Sequence, residues 1–261
     1  MRPQLNITMK SNKELAQANL VELGQNTYPG RIIVLGVSES GDLVQVYAIM
    51  GRSANSQNRV FGVDGERVFT EPADPAKVKN PKDLDLIIYN AMTKIGNRFV
   101  VSNGNQTDTV AEYYSRSTGN IADAISNRMY EPDSPNYTPR ITGITKLGCP
   151  ARSYTMQIAL IKKSRHSDAR IMSFFEYEKD AIDPGYGYFV STYLGDDEPL
   201  PSFVGEPILM PIRGEIEDIA GQFWDALSPM NRVSLAVKTI SADSGETKIK
   251  VINRFKKVSP P

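Results

Sequence analysis

The sequence predicts one α+β domain in which antiparallel sheets carry flanking helices, and three observations predict it. Apolar, β-branched runs follow one another directly, joined by short turn signals, so strands neighbour strands more often than helices. Only a few stretches carry the helical period, and they lie outside the strand runs. No internal repeat, low-complexity tract or linker divides the 261 residues. Hairpins that build sheets, with helices covering their faces, make an α+β architecture.

The elements follow in order. Ser11-Asn12-Lys13-Glu14 is a capping box opening a helix whose expected stripe is Leu15, Ala18 and Leu23, with Gly24 to close it. Arg31 to Val37 and Leu43 to Met50 flank Glu39-Ser40-Gly41-Asp42, the first hairpin. Arg59 to Val63 and Glu66 to Phe69 flank Asp64-Gly65, the second. Prolines and charges from Pro72 to Lys82 predict a surface loop. Leu84 to Met92 and Arg98 to Val101 read as strands around Gly96-Asn97. Two helices are expected next, Thr107 to Tyr114 and Asn120 to Met129, the latter capped by Asn120. A proline-rich loop from Glu131 to Pro139 leads to strands at Arg140 to Leu147, Tyr154 to Lys162, Ile171 to Tyr177 and Tyr188 to Tyr193. Glu215 to Leu227 is an amphipathic helix, and Arg232 to Ile240 with Lys248 to Phe255 forms a closing hairpin around Asp243-Ser244-Gly245.

Composition excludes several classes. With 40% hydrophobic and 23% charged residues the chain can bury one large core. Its formal net charge is zero, so neither a nucleic-acid surface nor a charged tail is expected. No apolar run approaches a membrane span, and the first residues lack the apolar centre of a signal peptide. With one cysteine, Cys149, no internal disulfide exists, and a cytoplasmic location is expected. The one histidine, His166, sits in a polar run between two strands and reads as a solvated hairpin tip. A serine–histidine triad, a cysteine–histidine dyad and a histidine-rich zinc site are therefore not expected. Phosphate-binding glycine loops and the Gly-x-Ser-x-Gly elbow are absent, so no cofactor is expected. Asp196-Asp197-Glu198 reads as a solvated turn and no metal site is expected. Chemistry here falls to carboxylates, tyrosines, amides, arginines, lysines or water.

The segment Val101-Ser102-Asn103-Gly104-Asn105-Gln106-Thr107-Asp108-Thr109 concentrates the polar candidates. A strand that ends in Asn-Gly and reopens as a helix offers free backbone N–H groups to an anion. Four further segments put useful side chains at strand ends: Tyr28-Pro29-Gly30-Arg31, Gly51-Arg52-Ser53 with Asn58-Arg59, Tyr89-Asn90, and Tyr137-Thr138-Pro139-Arg140. Planar guanidinium groups suit phosphate because they donate two parallel hydrogen bonds; singly, each is an ordinary solvated charge. In Tyr186 to Tyr193, alternation puts Phe189, Ser191 and Tyr193 on one face and Tyr186, Tyr188, Val190 and Thr192 on the other.

Taken together and in this order, these motifs resemble the archaeal-type IMP cyclohydrolases. The most specific are Ser-Asn-Gly-x-x-Thr-Asp-Thr at 102–109 and Thr-Pro-Arg-Ile at 138–141, with Ser191-Thr192-Tyr193 beyond them. The resemblance spans roughly Tyr28 to Pro199. It makes residues 1–26 an N-terminal extension of a single 1–261 domain and leaves 205–261 poorly matched. It implies a four-layer αββα sandwich of antiparallel sheets, like the Ntn hydrolases. It also implies closure of 5-formamidoimidazole-4-carboxamide ribotide to inosine 5′-monophosphate (IMP) with loss of water, without metal or cofactor. Tyr89, Asn90 and Asp108 are then the expected catalytic residues. Arg31, Arg52, Ser53, Arg59, Asn103, Gly104, Thr107, Arg140 and Tyr193 are the expected contacts to the purine ribotide. Thr27 falls where the nucleophile of a true Ntn hydrolase would stand, but ring closure needs no covalent intermediate and Thr27 is expected to stay internal. Two other readings stay open: a related ribotide or cyclic-amide hydrolase on the same scaffold, and a non-catalytic purine-nucleotide-binding protein. The apolar run Pro207-Ile208-Leu209-Met210 suits either a homo-oligomer interface or the core.

Overall fold

A computed structural model describes residues 10–78 and 88–258. Thirteen strands form two sheets among these residues, and every ladder is antiparallel. In the first sheet β1 (Arg31–Val37) and β2 (Leu43–Met50) are central. β10 (Tyr186–Ser191) and β11 (Ile208–Pro211) extend it on one side, β12 (Arg232–Ile240) and β13 (Thr247–Asn253) on the other. The second sheet is a meander in chain order: β3 (Val60–Asp64), β4 (Arg67–Glu71), β5 (Asn90–Ile95), β6 (Arg98–Ser102), β7 (Arg140–Leu147), β8 (Tyr154–Lys163) and β9 (Arg170–Glu178). The α+β expectation and the hairpins at 39–42, 64–65 and 243–245 are therefore met.

One core joins the sheets. Ile33, Leu35 and Val101 all come close around Gly143, where a Cβ would lie 3.0 to 3.2 Å from their methyl groups, so β1 and β7 approach there only because the residue is glycine. The Gln45 amide donates across the same space to the Phe99 carbonyl at 2.9 Å. β1 and β2 are buried along nearly their whole length on both faces, as their unbroken apolar runs require.

Helices α1 (Asn12–Gln25) and α5 (Ile216–Ala226) pack on the first sheet, and α3 (Gln106–Arg116) and α4 (Ile121–Ala124) on the second; a one-turn helix, α2 (Ala54–Gln57), sits between β2 and β3. The Ser11–Glu14 capping box of α1 is present. Its buried face differs from the expected stripe. Ala16 and Leu23 are buried with Leu20 beside them, whereas Leu15 is 40% exposed, one position off that seam. Gly24 lies inside the helix, and Asn26 ends it with its N–H on the Glu22 and Leu23 carbonyls. The expected helix to Met129 stops at Ala124. The Ser126 and Arg128 carbonyls, which would continue it, accept instead from the Arg170 guanidinium. Of the expected strand from Leu84, residues 84–87 lie outside the described residues, as do 79–82 of the surface loop. The 207–210 run forms edge strand β11, whose Met210 is buried and whose Leu209 carbonyl accepts from Asn19 of α1 at 2.8 Å. His166 is exposed at the β8–β9 turn, and Cys149 is free and exposed. No described helix is long and apolar enough to cross a membrane.

Candidate active site

Alternation along β1 puts Arg31 on the same side as Ile33 and Leu35, so the row that fills the space between the sheets ends in a guanidinium. There a cleft of about 290 Å³ opens, lined by Arg31, Arg52, Ser53, Arg59, Glu131 and Tyr193 among others. Gly30 makes the corner possible. Its φ is +77°, and a Cβ would sit 2.6 Å from the Tyr193 ring. The backbone thus passes close enough to seat Tyr193 beside Arg31. Ser53 caps α2 by accepting from the Ser56 N–H, and this turn carries Arg52 and Arg59 to the cleft.

The guanidinium of Arg59 is buried, and that of Arg31 partly so. Arg31 Nε and Arg59 Nε and Nη1 are enclosed and meet no acceptor among the described residues. Burial and the neighbouring Arg31 both disfavour charge on Arg59, yet an arginine keeps its proton in a protein. The nearest compensation is Glu131, whose side chain is 12% exposed. Burial pushes its carboxyl above the usual range, against the opposite pull of Arg31 and Arg140. A buried and a partly buried cation with idle donors, beside a carboxyl that burial makes reluctant to ionise, leave room for the charge of an external anion.

One wall is aromatic. Arg52 lies over the Tyr28 ring at 4.8 Å, and Tyr28 stacks on Tyr193 at 6.0 Å between centroids. The Tyr193 hydroxyl lies 2.5 Å from Thr138 Oγ1, and Thr138 in turn donates its hydroxyl to Asp133. Burial raises the Tyr193 phenol well above its ordinary value. Tyr193, Ser191 and Phe189 also line an adjoining cavity of about 340 Å³ beside α1, in agreement with the alternation read along this strand.

The expected site residues separate into groups. Arg31, Arg52, Ser53, Arg59 and Tyr193 share the cleft. Tyr89 is buried behind it, its hydroxyl 2.7 Å from that of Tyr47. Arg140 does not line the cleft: it donates to the Met129 carbonyl at 2.7 Å and to Gln106 Oε1 at 2.8 Å, with Glu131 at 3.7 Å. Asn103, Gly104 and Thr107 are drawn into local bonds. Asn103 accepts from the Ile141 N–H and from Gln106 and donates to the Pro139 carbonyl. Thr107 pairs with Ser102 and the Gly104 carbonyl. The anion site expected from free amides at the start of α3 is reduced accordingly, because the Thr107 and Asp108 N–H groups already bond the Gly104 and Asn105 carbonyls. Asn90 donates to Asp108 at 2.7 Å, and Asp108 is exposed. One chain of contacts links part of the second group to the cleft wall: Asn103 reaches Gln106, Gln106 reaches Arg140, and Arg140 reaches Glu131. Glu131, Asp133 and Thr138 were not among the expected site residues. Their signal was two carboxylates just ahead of Thr-Pro-Arg, indistinguishable by composition from a solvated loop. Among the described residues no three His, Cys, Asp or Glu side chains cluster as metal ligands would.

Known proteins resemble the chain over most of its length. The chain is 31% identical to the IMP cyclohydrolase of Methanococcus maripaludis strain S2 over 172 residues, 64% of this chain and 74% of that one. It is 27% identical to the IMP cyclohydrolase of Methanocaldococcus jannaschii over 220 residues, 83% of this chain and 95% of that one. A relative of the same name from Haloquadratum walsbyi is 30% identical over 120 residues, 45% of this chain and 56% of that one. Residues 28–245 match the family described as IMP cyclohydrolase-like protein. This match begins at Tyr28 of the aromatic wall and takes in every cleft residue, and the chain belongs to that family.

Proposed function

We propose that the protein closes 5-formamidoimidazole-4-carboxamide ribotide to IMP with loss of water. The observation that carries the reading is the pair Arg31 and Arg59, whose enclosed Nε atoms and Arg59 Nη1 have no acceptor among the described residues. A phosphate monoester would satisfy both charge and hydrogen bonds there. In the reaction the carboxamide nitrogen attacks the formyl carbon of the same molecule. The formyl oxygen gains negative charge, takes up protons and leaves as water. Anchoring the phosphate and walling the ring with Tyr28 and Tyr193 holds the two groups in attacking distance, an effect worth ~7 kcal/mol or more in favourable intramolecular reactions. Glu131, protonated more readily than an ordinary glutamate, is the group we assign to deliver a proton to the departing oxygen. Arg140 orients it from behind, and Tyr89 and the Asn90–Asp108 pair support the wall rather than the reacting atoms. The four-layer αββα arrangement of the Ntn hydrolases is the architecture we propose, on the strength of helices packed against each of two stacked sheets.

The test is a spectroscopic ring-closure assay with the formylated ribotide. Turnover by the wild-type protein is expected, and Glu131→Gln should lower kcat about a hundredfold or more while still binding IMP. Tight IMP binding without turnover would make the protein a nucleotide-binding module instead.

A further inference from the structure

Hydrogen-bond bookkeeping around Tyr193 fixes which way its hydroxyl points. Both Asp133 oxygens act as acceptors. One accepts from the Thr138 N–H at 2.6 Å and the other from the Thr138 hydroxyl. That uses the single proton of Thr138. The contact of 2.5 Å between Thr138 Oγ1 and the Tyr193 hydroxyl must then be donated by Tyr193. Tyr193 is 2% exposed, and its proton is committed inward. What its oxygen has left for the cleft is a lone pair.

We propose that Asp133 and Thr138 are positioning residues that lock Tyr193 as a hydrogen-bond acceptor, so that the cleft selects a ligand nitrogen that carries a proton. The inference rests on the ring-closure reading above and adds a specificity to it. The attacking carboxamide nitrogen bears N–H groups before closure, and the ring nitrogen it becomes in IMP still bears one. An aminopurine such as adenosine 5′-monophosphate (AMP) offers a bare lone pair at that ring position. It would face the Tyr193 oxygen with no proton between them. A mismatched polar pair in a closed site discriminates strongly, because neither group recovers its water.

The chain of bonds can be reversed without changing its shape. In Asp133→Asn the Thr138 N–H still needs an acceptor, so the amide oxygen stays on that side and the amide NH₂ faces Thr138 Oγ1. Thr138 then turns its proton to Tyr193, and Tyr193 turns its own into the cleft. The experiment is calorimetric titration of IMP and AMP into wild type, Asp133→Asn, Thr138→Ser and Tyr193→Phe. Wild type should prefer IMP by about tenfold or more, and Asp133→Asn should move the ratio of the two Kd values about tenfold or more toward AMP. Thr138→Ser keeps the hydroxyl and should keep the wild-type ratio. A purely structural loss would weaken both nucleotides alike. A folded Asp133→Asn with the wild-type ratio overturns the inference, as does a wild type that binds IMP without preferring it. Tyr193→Phe leaves the Asp133–Thr138 bonds in place and decides independently of how Asp133→Asn folds. Its preference should fall toward parity, and full retention overturns the inference. A wild type that binds neither nucleotide overturns the ring-closure reading as well, whereas the other failures leave that reading standing.

Discussion

Arg59 is held in a conflict that a ligand would resolve. Its Nε and Nη1 have no acceptor among the described residues, and Arg31 repels it. An uncompensated buried charge costs stability, and replacing it with an apolar side chain of similar length relieves that cost. Arg59→Met is therefore expected to raise thermal stability, by roughly 1–3 kcal/mol, and to weaken IMP binding at least about tenfold. Differential scanning fluorimetry without nucleotide and calorimetric titration with it would measure the two effects. A variant that loses both stability and affinity would mean that Arg59 is a structural strut. Thr27 makes a second residue-level case. Its hydroxyl bonds Asp196 at 2.5 Å and its carbonyl accepts from Asn231, within a continuous backbone that places α1 against the sheet. Intact mass should show the full chain, and a product beginning at Thr27 would contradict that.

Arg140 belongs to the scale of elements. Its sequence context suggested a ligand contact, but its guanidinium bridges the loop after α4 at Met129, the start of α3 at Gln106 and the cleft carboxyl of Glu131. Removing it leaves Gln106 Oε1 and the Met129 carbonyl without that donor and leaves Glu131 without its second cation. Arg140→Ala should thus lower stability by about 1–3 kcal/mol, and it should reduce turnover more than it weakens IMP binding. Unfolding in urea and steady-state kinetics would separate these, and an unchanged melting point with lost IMP affinity would restore Arg140 to a direct contact. The case explains what the sequence could reveal. The hairpins at 39–42, 64–65 and 243–245 and the Ser11 capping box are local patterns, and each was legible. Arg31 and Arg52 were legible as cleft residues because each follows a glycine at a strand end, whereas Arg59 and Tyr193 were reached through the family motifs Asn58-Arg59 and Ser191-Thr192-Tyr193. Asn103 and Thr107 looked like ligand groups for the same reason that they are structural: short polar side chains at a strand-to-helix turn satisfy the turn itself. Glu131 was hidden because only its burial separates it from an exposed loop acid, and burial is a property of the assembled sheets.

At the scale of the whole molecule, the space between the sheets is not purely apolar. At the far end of the Arg31 row, beside Leu35, Gln45 of β2 pairs in register with Lys238 of β12. Both are fully buried, and Gln45 Oε1 has no partner among the described residues. The Lys238 ammonium donates to the Glu66 carbonyl at 2.6 Å. Burial depresses its pKa from the ordinary 10.5 to about 8, opposed by Glu66 and reinforced by Lys94. The folded state therefore holds this proton less tightly than the unfolded chain does. Below about pH 8 both states are protonated and folding carries the full cost of the buried charge. Between about 8 and 10.5 the native lysine is neutral while the unfolded one is still charged, so this group makes stability rise with pH. The depression corresponds to roughly 3 kcal/mol, at about 1.4 kcal/mol per pH unit. Buried tyrosines act the other way, but only once pH exceeds their unfolded value of 10.0, since burial raises Tyr47 and lifts Tyr114 to about 12. Lys162, whose pKa burial also lowers, moves stability in the same direction, so the Lys238 contribution is read as the difference between variant and wild type between pH 8 and 10. Lys238→Met should be more stable than wild type at pH 7, and its advantage should shrink steadily as pH climbs to 10. Urea unfolding at pH 7, 8, 9 and 10 measures it, and an advantage constant across that range would show that Lys238 is charged and paired in the native state throughout.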